Sequence, residues 1–259
     1  VAQVARGSDA YIEGRIIERL GDADVIQALP ALAMAGRFRV ATIAEFLDVD
    51  PAAFGLRLAE QEWIDADGDP PAHVAARPAL ARRLRRYFAA ADRVESFTAE
   101  ATRLAAALRT RIQDAPVPEV DRDEVLAALR LSAPGDAASL WDDLAVRAKD
   151  AREWDWLLSV TNRVRGEWEE EEWPTTAALR ATVTAAYIAA SRRAYPSFDA
   201  QAAWWEVLDS AGAHPDHRAV RLLQTRAAAG LLPYATDDEA LWETLDAADA
   251  DPELAGCYR

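Results

Sequence analysis

Residues 28–88 constrain the fold more than any other part of the chain, because helical periodicity runs up to them, breaks once and then resumes. A first helix starts at Asp22 or Asp24, carries Ile26, Leu29, Leu32 and Ala33 at helical spacing around Pro30, and ends at Gly36-Arg37-Phe38. A second, Val40 to Leu47, turns Val40, Ile43, Ala44 and Leu47 inward. Asp50 followed by Pro51 is an N-cap with proline in the first turn, so a third helix runs to about Gln61 with Phe54 and Leu58 four residues apart. Trp63 and Ile64 then leave the helical period. Asp67-Gly68-Asp69-Pro70-Pro71 is a turn that brings the chain back through His73-Val74-Ala75 as the second strand of a two-stranded wing. Arg77 precedes Pro78 and is therefore extended; the helix opening at Pro78 buries Leu80, Leu84, Tyr87 and Phe88 and carries Arg82, Arg83, Arg85 and Arg86 on its other face.

Three short helices, a wing and a closing basic helix make a winged-helix pattern, and the remainder of the chain reads as helix. The apolar fraction of 51% is dominated by 59 alanines, with only 11 glycines, so local propensity favours helices whose large core residues are sparse. A long helix from Asp92 to Gln113 carries Val94, Phe97, Ala101, Leu104 and Leu108 as its inward stripe, and the stiff Ala115-Pro116-Val117-Pro118 stretch follows it. Beyond that, helices are expected near 121–131, 136–149, 151–166, 175–194, 199–211, 215–229 and 236–248, joined by short breaks that favour stacked hairpins. Leu140-Trp141-Asp142-Asp143-Leu144, Trp204-Trp205-Glu206-Val207-Leu208 and Leu241-Trp242-Glu243-Thr244-Leu245 echo one another at irregular spacing, as in a degenerate tetratricopeptide-type array. The fold class expected is mainly all-α: a winged-helix domain with a small β wing, then an α-solenoid of helical hairpins.

Charge placement separates candidate partners. Residues 37–93 balance nine arginines against nine carboxylates, whereas 94–259 hold seventeen basic residues against thirty acidic ones, out of a net charge of −15. An acidic surface repels phosphate backbones and anionic lipid, which argues against nucleic acid and membrane as partners of that part. A DNA-reading third helix needs donors, yet it offers only Arg57, near Glu60 and Glu62, and the wing adds Asp65, Asp67 and Asp69. The single Cys257 excludes a disulfide framework or a cysteine metal cluster and suits a reducing cytosol, so a cytoplasmic location is expected.

Motifs that carry chemistry are scarce in the chain. There is no G-x-x-x-x-G-K-[S/T] loop, one lysine (Lys149), no G-x-S-x-G, and only three histidines; His214-Pro215-Asp216-His217 has the spacing of a metal pair, but Pro215 suggests a helix start there and neither an H-E-x-x-H motif nor a nearby Cys accompanies it. No catalytic, metal or cofactor residue is expected in the chain itself. Protein contact is the better candidate, on the basic face Arg82, Arg83 and Arg86, on the acidic run Trp168, Glu170, Glu171 and Trp173, and on the pair Trp204 and Trp205. The plain alternative for the tryptophans is core packing between alanine-rich helices. Val1 is not Met, and Asp251-Pro252 is a pair that opens helices, so the chain is read as a segment of a longer protein.

The strings Y-I-E-G-R-I-I-E-R-L, A-L-P-A-L-A-M-A-G-R-F and R-P-A-L-A-R-R-L-R-R-Y-F, spanning about residues 9–90, resemble the lid-to-winged-helix segment of STAND NTPases, the signalling ATPases that include NLR-like and NB-ARC-like proteins. The resemblance implies a lid-helix remnant at 1–21 and a winged helix at 22–91, and the helical pattern beyond it gives a connector helix at 92–115 and helical repeats at 116–259. It implies a regulatory position next to a nucleotide-binding domain upstream in the same protein, with a protein or peptide ligand on the repeats. In that family a histidine at the end of the wing approaches the nucleotide phosphate; the matching position is Arg77 by its place before Pro78, or His73 by residue type. The alternative is a transcription regulator whose winged helix reads DNA while the repeats sense an effector.

Overall fold

The computed structural model describes residues 12, 16–90, 92–170, 176–195, 197–212, 218–251 and 254, and these form two compact units, 1–133 and 134–259. The protein is mostly helical, and the described residues contain one small sheet.

The first unit is built around α1 (Ala23–Ala35), which is buried almost all round: Val25, Ala28, Leu29, Ala31, Leu32 and Ala33 are fully enclosed. Asp22 caps it by accepting from the amides of Asp24 and Val25. Its alanines let neighbours approach closely on several sides, which a helix with one apolar stripe cannot do. Gly36 ends it with φ near +77°, a conformation that disfavours side chains, and a Cβ there would meet the Arg130 guanidinium at 2.8 Å.

Next come β1 (Arg37–Arg39), α2 (Val40–Leu47), α3 (Pro51–Ala59), β2 (Ile64–Gly68), β3 (Pro71–Ala76) and α4 (Pro78–Phe88). The third helix, the turn and the closing helix start where their cap residues place them, with Asp50 accepting from the Ala53 amide at 2.8 Å. The sheet has an additional strand beyond the expected wing. Arg37–Arg39 pairs antiparallel with β3, giving the order β1-β3-β2 and placing Phe38 opposite Val74, both buried. Three residues are too few to show an alternating pattern, so this strand is invisible to periodicity.

The first unit closes with α5 (Val94–Asp114), a 3-10 turn at Val117–Glu119 and α6 (Arg122–Leu131). Helix α5 buries Leu104, Ala105, Leu108 and Ile112, so its inward stripe lies toward its C-terminal half; Val94, expected inside, is exposed. Near the helix start, Phe97 stacks on Phe88 at 5.3 Å between ring centroids. Helix α6 packs on α1, β1 and α5, and the Pro116–Pro118 stretch lies inside the first unit.

The second unit contains α7 (Pro134–Asp150), α8 (Trp154–Glu170), α9 (Ala177–Ala194), α10 (Gln201–Gly212), α11 (Arg218–Leu231) and α12 (Glu239–Ala250). Each packs on the next, and α9 also touches α7 and α11. Trp141 and Trp156 are core residues, as the packing alternative for the tryptophans expected. Trp204 fills the space between two clusters, one around Ile188, Val207 and Ala227 and the other around Leu231, Leu241 and Leu245. No helix among the described residues is long and apolar enough to cross a membrane.

Candidate functional site

A cluster of charged and polar side chains lies where α6 begins, against β1, β3 and the end of α5. Asp121 is the α6 N-cap, accepting at Oδ1 from the amides of Asp123 (2.9 Å) and Glu124 (3.2 Å). Its other oxygen, Oδ2, lies 2.8 Å from His73 Nε2 on β3, the strand that faces β1 at this level. Burial opposes ionisation of Asp121, but the hydrogen bond and charge of His73 and the two helix amides outweigh it, so its carboxyl sits below the ordinary value of 3.8.

Around this pair the charges alternate. Arg37 Nε lies 3.1 Å from Asp123 Oδ2, and the Arg37 guanidinium also pairs with Asp67 of β2. The Glu124 carboxylate, 3% exposed, accepts from the Thr42 hydroxyl and lies 3.4 Å from Arg111 Nε, while Arg111 Nη1 donates to Glu45 at 2.8 Å. Almost every charge here has an opposite one within reach, as burial requires.

His73, Asp121 and Asp123 each bring one possible ligand atom within 4.8 Å of the others. The surroundings do not suit a cation. Arg37 and Arg39 already stand against these carboxylates, and Oδ1 of Asp121 is committed to the helix cap. A divalent ion would displace contacts with two guanidiniums that cannot lose their charge.

Beside the cluster is a cavity of about 470 Å³ between β1, the end of α5, the 3-10 turn and α6. Arg39, Arg111, Glu119 and Glu124 supply its polar lining, and Ile112 and Val120 part of its apolar wall.

The residues singled out from the sequence are dispersed. His73 belongs to the cluster. Arg77 is exposed at the N-terminus of α4 and pairs with Asp65 of β2 at 3.2 Å. Arg82, Arg83 and Arg86 are exposed on α4. Trp204 and Trp205 on α10 are both half-buried; the indole of Trp204 packs against Gly230, where a Cβ would lie 2.6 Å from its Nε1. Trp168 and Glu170 end α8, but their side chains, like Glu171, Trp173, His214 and His217 altogether, lie outside the described residues. The remaining members of the cluster, Arg37, Arg39, Thr42, Arg111, Asp121, Asp123 and Glu124, carry no motif. His73 is 48 positions from Asp121 and Thr42 is 82 from Glu124, so no local pattern joins them.

No family model, curated protein or solved structure matches the chain.

Proposed function

We propose that the chain is a regulatory and adaptor segment of a STAND-type signalling NTPase, in which the first unit acts as a winged helix and the second as a solenoid of helical hairpins that takes a protein or peptide ligand. The observation that carries the winged-helix reading is the order of elements: helix, short strand, two helices, antiparallel hairpin and closing helix, with the short strand pairing to the second strand of the hairpin. Ligand contact on the repeats would bias how the winged helix packs against an upstream nucleotide-binding domain.

The state of the basic residues supports an adaptor over a DNA reader. Arg57, the base carried by the third helix, is held by Asp22 at 2.9 Å and Asp24 at 2.7 Å, so it serves the start of α1. The exposed positions of that helix are Pro51, Ala52, Ala53, Leu56 and Ala59, none of which offers a side-chain donor to a base edge. The wing exposes Asp65, Asp67 and Asp69. Arg77 is the better phosphate contact of the two wing candidates: its ion pair with Asp65 is solvent-exposed and weak, whereas His73 is engaged with Asp121. On the second unit, Val146, Tyr195, Tyr234 and Trp242 are large exposed apolar groups available to a protein partner.

The open reading frame upstream of Val1 tests the coupling. A strand, a G-x-x-x-x-G-K-[S/T] loop and a helix are expected there, and a frame without them overturns it. Salt-dependent binding of the chain to duplex DNA would replace the adaptor with a transcription regulator.

A further inference from the structure

We infer that the cavity between Arg39 and Arg111 is a binding site for a small monocarboxylate with an apolar body. The inference stands apart from the regulatory reading, because it needs no nucleotide-binding neighbour.

Its first support is the state of Arg39. Among the described residues its side chain makes no hydrogen bond; its one ionic contact runs from Nε to Asp121 Oδ2 at 3.8 Å. That oxygen already meets His73 at 2.8 Å, and the other oxygen of Asp121 serves the helix cap. Beyond that one long ionic contact, the N–H donors of the Arg39 guanidinium, whose side chain is 41% exposed, face solvent and the cavity it lines. Arg111 faces the same cavity, with Nη1 used by Glu45 and Nε beside Glu124. The Arg39 fork matches an oxyanion, which a guanidinium binds through paired N–H groups, and Arg111, already held by Glu45 and Glu124, borders the same cavity.

The remaining lining selects among anions. Ile112 and Val120, with Ala115 and Pro118, give an apolar wall, so the ligand needs more than its charged group. The Glu124 carboxylate is paired with Arg111 and accepts from the Thr42 hydroxyl, while Glu119 is exposed and adds a negative charge to the lining. A phosphate dianion meets that charge at close range, whereas a monoanionic carboxylate does not carry the second charge to be repelled. The volume of about 470 Å³ is that of an ordinary small-ligand pocket.

The test titrates the whole chain with hexanoate, hexylamine and inorganic phosphate and follows backbone amide resonances. Hexanoate is expected to cause saturable shifts at Arg39, Ile112 and Val120 below about 10 mM. Arg39→Met, which removes no hydrogen bond, is expected to keep the dispersed spectrum of the folded chain and to weaken hexanoate at least tenfold. Absence of saturable shifts with hexanoate overturns the inference. So does an Arg39→Met chain that binds as tightly, hexylamine acting on the same amides, or phosphate binding as tightly as hexanoate.

Discussion

Gly230 and Gly166 form a matched pair on which the packing of the second unit can be measured. Both are helical, in α11 and α8 respectively, so alanine at either gains local helix propensity, about 0.5–1 kcal/mol in a helix interior and less at Gly230, one residue from the end of α11. Their surroundings differ completely. A Cβ at Gly166 meets nothing within 4 Å, whereas at Gly230 it lies 2.6 Å from Nε1, 2.7 Å from Cε2 and 2.9 Å from Cδ1 of Trp204. Ordinary contact needs about 3.5–4 Å, so the indole or the α11 backbone must move by roughly 1 Å. Trp204 has little room to retreat, since it is wedged between the Val207 and Leu241 clusters. Overpacking of this kind costs about 1–3 kcal/mol, which exceeds the propensity gain. Gly230→Ala is therefore expected to destabilise the chain by about 1–2 kcal/mol while Gly166→Ala stabilises it by about 0.5–1 kcal/mol. Urea denaturation followed by circular dichroism and by tryptophan fluorescence reads both, with unchanged slopes showing that stability alone has moved. If Gly230→Ala stabilises as much as Gly166→Ala, the close seat of the indole on α11 is wrong.

Two further predictions concern the first unit. Phe54→Ala removes a fully buried ring from the face of α3 that packs on β3, and a loss of about 3–5 kcal/mol is expected in the same urea assay; a loss under 1 kcal/mol would mean that this face is not core. Asp121 is ionised more readily in the folded chain than in the unfolded one, so its contribution is complete above the ordinary value of 3.8 and is lost as pH falls below it. Asp121→Asn is therefore expected to lower stability at pH 6 and to flatten the fall between pH 5 and pH 2, and an acid-unfolding curve as steep as that of the parent chain would refute the role of the Asp121 cap and His73 pair.

Much of the local structure could be read directly from residue types. Asp22, Asp50, Asp121 and Asp238 accept from amides at helix starts, as short acidic side chains do wherever the first amides lack partners. Pro51 and Pro78 each open a helix, and Gly21 and Gly36 follow helix ends with positive φ. The helices of the second unit fall within a few residues of their expected positions, because alanine-rich segments between short breaks have no competing local conformation.

What the sequence determined by itself was what each residue settles with its near neighbours: caps, breaks, helical faces and the balance of charge. Tertiary structure decided everything that depends on partners far along the chain. Arg37–Arg39 became a strand only because β3 offered an edge, and Trp141 and Trp242, in the same Leu-Trp setting, ended fully buried and half exposed because their helices are covered differently. The charged seam was the least legible, since His73 finds Asp121, Thr42 finds Glu124 and Arg111 finds Glu45 across 48, 82 and 66 positions. Helical and strand periodicities report which face of an element is turned inward, but they carry no information about which side chain waits on the other side.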